Sequence, residues 1–210
     1  NHNAYPQPKD HGFDVTSSGR GVCTKMAPHR LTGFATKDSK DPYRINDDGV
    51  PTDEVTVNAI DFMEKSKKDP FFLYYATWLV HYPIQSRSKE LLDKYCKKLG
   101  VEFPTNPDGW ALKGQKNPYY CAMIEMLDAY IGQVLQYLEQ TDDPRWPGHK
   151  LVENTYIIFS SDNGGCEGGG KEIYTDNAPL DMGKGHAKEG GTRVPLIITG
   201  PGIKHEVDTN

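Results

Sequence analysis

The sequence of 210 residues predicts an α/β fold in which helices pack on a parallel or mixed sheet. Three short apolar runs have the length and composition of strands that are covered on both faces. They are residues 70–76, 155–160 and 194–199. Amphipathic segments separate the first two runs. This order of helix and strand favours a layered α/β sandwich.

Two parts of the chain differ in pattern. Residues 1–51 are rich in Pro, Gly, Asp and Lys and show neither a helical nor a strand period, which predicts loop-rich structure. Residues 52–210 carry the α/β pattern. Their first helix is predicted from Thr52, a residue type that caps helix starts, to about Ser66.

The clearest helix is predicted from about Tyr119 to Gln140. Apolar residues recur there at spacings of three and four, so they form one stripe suited to burial. A shorter helix is predicted near residues 89–98. The stripe of the long helix consists of Tyr120, Ile124, Leu127, Ile131, Val134, Leu135 and Leu138.

The charge and hydropathy of the chain argue against two classes of partner. Lys and Arg number 24 against 29 Asp and Glu, and no dense basic run occurs, so nucleic acid is not an expected ligand. No apolar stretch approaches the roughly 18 residues that a membrane-spanning helix needs. The four cysteines show no CxxC spacing, which disfavours a zinc site and leaves their disulfide state open.

The run at 155–160 is followed by Asp162, Asn163 and two glycines. In an open α/β sheet, ligands bind beyond the carboxyl ends of strands. A carboxylate beside an amide supplies the oxygen ligands that Ca²⁺ or Mg²⁺ prefers, and glycines allow a close approach to a ligand. The alternative is an Asx-type turn, in which both side chains bond to their own backbone.

Two further residues have the character of site residues. Lys184 stands between two glycines, where its exposed ammonium suits anion binding, and Glu189 is positioned to pair with Arg193 just before the third apolar run. His81 follows the first apolar run at a position comparable to that of Asp162. A solvated surface loop and a structural histidine are the respective alternatives.

Taken together, residues 70–83, 161–165 and 183–195 resemble the sulfatases, the arylsulfatase-type members of the alkaline phosphatase superfamily. Residues 10–14 also resemble a segment that follows the second signature of that family. The resemblance implies an alkaline phosphatase-like sandwich with a mixed, mostly parallel sheet between helices, incomplete in this chain.

The resemblance also implies roles for individual residues. Asp162 and Asn163 would be ligands of one divalent metal, usually calcium, with magnesium the weaker candidate. Lys184 would contact the sulfate, and His81 would lie against the sulfate or the leaving-group oxygen. Asn rather than His after Asp162 favours the one-metal branch of the superfamily.

The chain departs from the family pattern at the nucleophile. The family uses a Cys/Ser-x-Pro-x-Arg signature that matures to formylglycine, whereas the nearest string here, residues 26–33, has Met26 in the nucleophile position. The paired Asp residues near the amino terminus of the family are also missing, and so is its Gly-Lys-x-His motif, apart from the string of residues 183–186 that carries Lys184. We therefore expect residues 1–210 to be a central part of a single sulfatase catalytic domain, inactive by itself.

For the intact enzyme the resemblance implies a sulfuric ester hydrolase with a metal-assisted formylglycine mechanism. Its substrate would be a sulfated small molecule or carbohydrate. A phosphodiesterase or phosphonate hydrolase of the same superfamily, and an inactive pseudo-enzyme that binds an anion or calcium, are the alternatives. By family habit the protein would be exported to the periplasm, the medium or the lysosome, and no oligomeric state is implied.

Overall fold

The computed structural model describes residues 6–26, 30, 32–102, 114–169 and 172–204. Helices and short strands follow one another along these residues, with 3₁₀ turns at Pro8–His11, Gly21–Cys23 and Leu151–Asn154. None of the helices in these ranges is long and apolar enough to cross a membrane. The elements are α1 (Glu54–Ser66), α2 (Lys89–Leu99), α3 (Pro118–Gln140), β1 (Ile157–Ser160), β2 (Gly168–Gly169), β3 (Glu172–Ile173), α4 (Glu189–Thr192) and β4 (Leu196–Thr199).

Each of the three long helices begins at a side chain that satisfies a free backbone N–H group. Asp53 accepts a 2.9 Å hydrogen bond from the Thr56 amide at the start of α1, so the cap is Asp53 rather than Thr52. Ser88 and Asn117 cap α2 and α3 in the same way. The helices predicted at 52–66, 89–98 and 119–140 are therefore confirmed.

The predicted stripe of α3 is buried only in part: Leu138 is 3% exposed, and Leu127 and Val134 pack against core clusters. Ile124, which belongs to that stripe, is 47% exposed, while Ala122, Met123 and Tyr130 are fully buried. The physical reason is that α3 has apolar residues on two adjacent sides. The side with the smaller and more flexible residues packs with Leu92 of α2 in the main core.

The strands form antiparallel pairs. β1 pairs with β4, so that Ile157 lies opposite Thr199, and β2 pairs with β3. This confirms strands within 155–160 and 194–199, but in the described ranges no parallel pair occurs. Coverage of both faces is wrong, because Ile158 is 67% and Leu196 is 64% exposed. Only the Ile157 side of β1 packs against a core cluster, around α1 and α3.

The prediction of a strand at residues 70–76 is also wrong. The segment is extended, but in the described part of the chain it has no strand partner. Phe71 and Leu73 pack beside Met63 of α1, whereas Phe72 is 74% and Tyr74 is 70% exposed. The alternation of a strand is present and the hydrogen-bond ladder that defines one is not.

The segment around the 3₁₀ turn Gly21–Cys23 is held by two buried side chains. Arg87 donates hydrogen bonds to the carbonyl oxygens of Val22 (3.1 Å), Gly33 (3.0 Å) and Thr24 (2.5 Å). Gln85 donates a further bond to the Thr24 carbonyl at 3.0 Å. These bonds fix residues 22–24 and Gly33 against the segment that leads into α2.

Candidate active site

Asp162 and Asn163 lie on the loop directly after β1. The Asn163 Nδ2 donates to Asp162 Oδ1 at 2.8 Å, and the Ser161 hydroxyl donates to the Asn163 carbonyl at 2.8 Å. The two side chains therefore lie against each other, with Asp162 exposed to solvent. This arrangement offers adjacent carboxylate and amide oxygens at the end of a strand.

The loop after β1 is joined to the glycine-rich loop before β4 by backbone hydrogen bonds. The Gly164 amide donates to the Gly191 carbonyl at 3.0 Å, and the Lys184 amide donates to the Gly165 carbonyl at 2.9 Å. We call this contact the backbone seam. It brings Lys184, which is exposed, beside the loop that carries Asp162.

Glycine is required at the seam because the two backbones nearly touch. A Cβ atom on Gly164 would lie 1.8 Å from the Gly190 carbonyl oxygen, and one on Gly183 would lie 2.4 Å from the Gly165 carbonyl oxygen. The glycines were expected to allow the backbone to approach a ligand closely. In the structure they allow the two loops to approach each other closely.

Two residues that support the seam were not identified from the sequence. Asn177 donates through Nδ2 to the Gly165 carbonyl at 2.9 Å, and the Asp181 carbonyl accepts from the Gly190 amide at 2.8 Å. The Asp181 carboxylate also pairs with Lys188 at 2.9 Å. Neither Asn177 nor Asp181 stands in a spacing pattern that would have singled it out.

The predicted pair of Glu189, at the start of α4, and Arg193, directly after it, is confirmed. The Arg193 Nη1 lies 3.4 Å from the Glu189 Oε2. Both side chains are more than half exposed, so the pair adds little stability by itself. Its place is the short helix that leads from the seam into β4.

His81 lies on the loop after the extended segment at residues 70–76. Its backbone amide donates to the Trp78 carbonyl at 2.7 Å, and its Nδ1 lies 2.9 Å from the Tyr82 carbonyl oxygen. A carbonyl can only accept, so this hydrogen bond places a proton on Nδ1 and does not involve Nε2. Within the described ranges no hydrogen bond joins His81 to the seam.

A nearly buried ion pair links the His81 loop to the strands beside the seam. The Arg30 Nη1 donates to the Ile84 carbonyl at 2.7 Å and to Glu172 Oε1 at 2.9 Å. Asn117 donates to the same carboxylate oxygen at 3.0 Å. The side chains of Arg30 and Glu172 are 13% and 10% exposed. Arg30 therefore fixes the segment after His81 to β3.

Arg30 belongs to the string at residues 26–33, which partly matches the nucleophile signature. Residues 27–29 and 31 lie outside the described ranges. Met26 has a buried side chain, and its amide donates to Gln85. The arginine of the string has a structural role in joining two loops.

The cysteines do not supply a reactive thiolate in the core. Burial raises the pKa of the Cys23 thiol to about 12, so it is protonated at neutral pH. All four cysteines, Cys23, Cys96, Cys121 and Cys166, are free thiols in the structure.

The donor set after β1 fits a hard cation in part. Asp162 and Asn163 contribute oxygen ligands, which suit Ca²⁺ or Mg²⁺, but Ca²⁺ takes six to eight such ligands. No cluster of three or more His, Cys, Asp or Glu residues suited to a metal occurs among the described residues. Asp162 and Asn163 as metal ligands, like His81 and Lys184 as sulfate contacts, stay predictions.

Comparison with known proteins gives the family. The family profile for Sulfatase matches residues 3–210. A sulfatase from Formosa agariphila is 40% identical over 145 residues, covering 67% of this chain and 23% of that protein. Human N-acetylglucosamine-6-sulfatase is 30% identical over 166 residues, covering 73% of this chain and 28% of that protein. The chain thus spans about a quarter of the length of these relatives.

A solved structure is similar over much of the chain. The crystal structure of Ps i-CgsB in complex with k-i-k-neocarrahexaose aligns with a TM-score of 0.51 and 29% sequence identity. The alignment covers 70% of this chain and 27% of that one. It confirms the α/β, alkaline phosphatase-like fold class as a partial domain. With the profile match and the named relatives, this likeness shows that the chain belongs to the sulfatase family.

Proposed function

We propose that the intact enzyme hydrolyses sulfate esters and that this chain supplies four of its site residues. They are His81, Asp162, Asn163 and Lys184. The observation that supports the proposal best is the backbone seam, which couples the loop of Asp162 to the loop of Lys184 through two main-chain hydrogen bonds. A cation and an ammonium beside each other form a binding place for a sulfate group.

Asp162 and Asn163 are proposed as two oxygen ligands of one divalent cation, with calcium preferred to magnesium. Calcium tolerates the flexible geometry of an exposed loop, whereas magnesium demands a near-ideal octahedron. When bound, the cation neutralises negative charge on the sulfate oxygens. The remaining ligands come from other parts of the intact enzyme. The names of the relatives favour sulfate esters over the phosphodiester alternative.

Lys184 holds its ammonium where no carboxylate neutralises it. Among the described residues it forms no ion pair, whereas Lys188, four positions later, is paired with Asp181. An uncompensated ammonium on a rigid seam binds a sulfate oxygen and stabilises the charge that grows as the ester bond breaks. Lys188 is therefore the matched control for Lys184.

His81 acts at the leaving group. In hydrolysis the sulfur–ester oxygen bond breaks, water supplies the new oxygen on sulfur, and the alcohol leaves with a proton. The Tyr82 carbonyl holds Nδ1–H, so Nε2 is the ring nitrogen left for the leaving group, and in the imidazolium form its N–H donates a proton to the departing oxygen. The nucleophile, a formylglycine in the resembled family, comes from another part of the intact enzyme.

The test compares two lysine variants of the intact enzyme on 4-nitrophenyl sulfate. Loss of one preorganised charge costs about 10²–10³-fold in kcat. We expect that loss for Lys184→Ala and a change of less than threefold for Lys188→Ala. Equal activities of Lys184→Ala and the wild type would remove Lys184 from the mechanism. Absence of turnover in the wild type, with Ca²⁺ binding that Asp162→Ala abolishes, would favour the pseudo-enzyme alternative.

The proposed substrate class is a sulfated carbohydrate. The similar structure holds k-i-k-neocarrahexaose, and the human relative is named as a sulfatase of N-acetylglucosamine. Both names include a sugar, which supports a sugar sulfate here. The sulfatase resemblance also supports an exported protein, located in the periplasm, the medium or the lysosome. Cell fractionation that detects the intact enzyme in one of these three locations would test this.

A further inference from the structure

Arg20 and His81 lie against the same indole ring. The Arg20 Cζ lies 4.3 Å from the centre of the Trp78 ring, which is a cation–π contact. The His81 ring meets Trp78 edge to face, with centroids 5.5 Å apart and planes at 83°. Trp78 packs against the main core, while Arg20 and His81 are exposed. The Trp78 ring, held by the core, therefore contacts two exposed side chains that are able to bind an anion.

The backbone of Arg20 is fixed as firmly as that of His81. Its carbonyl accepts from the Cys23 amide at 2.8 Å, which closes the 3₁₀ turn that follows. The Val22 amide in this turn donates to Asp53 at 2.9 Å, and Arg87 holds the Val22 carbonyl. Arg20 thus extends from a turn that is bonded to both α1 and the segment before α2.

The charge of Arg20 is uncompensated. Among the residues that the structure describes, its guanidinium forms neither an ion pair nor a hydrogen bond, and its contact is with the Trp78 face. The other two arginines of this region differ, since Arg30 pairs with Glu172 and Arg87 donates to three carbonyls. Stacking on an aromatic face leaves the N–H edge of a guanidinium available for a bidentate anion.

We infer that Arg20 binds a second anionic group of the substrate, so that the site takes sulfated carbohydrates with more than one sulfate. The inference rests on the proposed sulfatase function, which assigns the first sulfate to Lys184 and His81. Trp78 sets the spacing between the two anions, because it holds Arg20 and His81 at fixed positions. A planar guanidinium matches the geometry of sulfate oxygens as it matches that of phosphate.

The test uses sucrose octasulfate, a small polysulfated carbohydrate, as the probe. Its binding to the intact enzyme is measured by titration calorimetry, and the inhibition constant of inorganic sulfate is measured beside it. Arg20→Gln should raise the Kd of the octasulfate at least tenfold. The fold-increase in the inhibition constant of inorganic sulfate should be at least five times smaller. Arg44→Gln, which removes an exposed arginine elsewhere, should leave the Kd within twofold.

Three outcomes decide against the inference. An unchanged Kd in Arg20→Gln, or no octasulfate binding by the wild type, overturns it. If the substitution weakens the binding of octasulfate and of inorganic sulfate equally, Arg20 acts on the first anion or on the fold. That result also overturns the inference. Arg20→Lys, which keeps the charge, should bind with intermediate affinity even if Arg20→Gln fails to fold. Octasulfate binding without any turnover of 4-nitrophenyl sulfate would refute the sulfatase proposal and leave the anion site of Arg20 standing.

Discussion

Replacement of Gly164 by alanine should separate the two loops of the candidate site. The new Cβ would lie 1.8 Å from the Gly190 carbonyl oxygen and 2.7 Å from its carbonyl carbon. These are backbone atoms, so no side chain is able to swing away. The first distance must lengthen to at least 3.0 Å, which breaks the 3.0 Å hydrogen bond between the Gly164 amide and the Gly191 carbonyl.

The structure sets the size of the effect. Overpacking of a close contact costs about 1–3 kcal/mol, and the lost hydrogen bond adds about 1 kcal/mol. The lower chain entropy of alanine in the unfolded state offsets about 0.4–1 kcal/mol of this. We expect a net loss of about 2 kcal/mol in the free energy of unfolding. Because Lys184 shares the seam, a displacement of about 1 Å lowers kcat/KM about 100-fold.

Urea unfolding and turnover of 4-nitrophenyl sulfate, both on the intact enzyme, measure the two effects. Gly132→Ala is the control, since Gly132 lies inside α3 with open space around its Cα. Alanine in a helix is favoured over glycine by about 1 kcal/mol, so this variant should be slightly more stable and fully active. A Gly164→Ala enzyme with wild-type stability and turnover would refute the role of the seam.

Two further predictions concern stability. Glu172→Gln leaves Arg30 nearly buried without its counter-charge and should lower the free energy of unfolding in urea by about 3 kcal/mol. The double variant Arg30→Met with Glu172→Leu should recover most of that loss. A Glu172→Gln variant with wild-type stability would contradict the prediction. Hydrogen bonds from Asn154 and Arg145 lower the pKa of Asp143 to about 2, below its value in the unfolded chain. Its contribution is therefore complete above about pH 4 and lost as the pH falls through 2. Acid unfolding should show a smaller loss over that interval in Asp143→Asn.

The helices were predictable because their signals are local. Ser88 caps α2, and Asn117 with Pro118 starts α3, each within three residues of the amide it serves. The buried side of α3 was not predictable in this way. Apolar residues occupy two sides of that helix, and the choice between them depends on how α2 packs, which no local pattern encodes. The missing ladder at residues 70–76 has the same origin, since a strand needs a partner from elsewhere.

The residues of the candidate site also divide into those with a local sequence signal and those without one. Asp162, Asn163 and Lys184 stand in short motifs, so the sequence singles them out, and the seam brings their loops together. Asn177 and Arg20 act through single contacts with residues 12 or more positions away. Such contacts leave no periodic or motif signal, and a structure is needed to find them.

The hydrogen bonds from Arg87 and Gln85 to residues 22–24 and Gly33 affect how these positions tolerate substitution. All four of the donated bonds end on main-chain oxygens, at Val22, Thr24 and Gly33. Every amino acid offers such an oxygen, so the shape of the loop is largely insensitive to the side chains displayed on it. A saturation library over the exposed positions 24, 25 and 32 should therefore retain the fold. The side chains displayed there are free to diversify on an unchanged backbone.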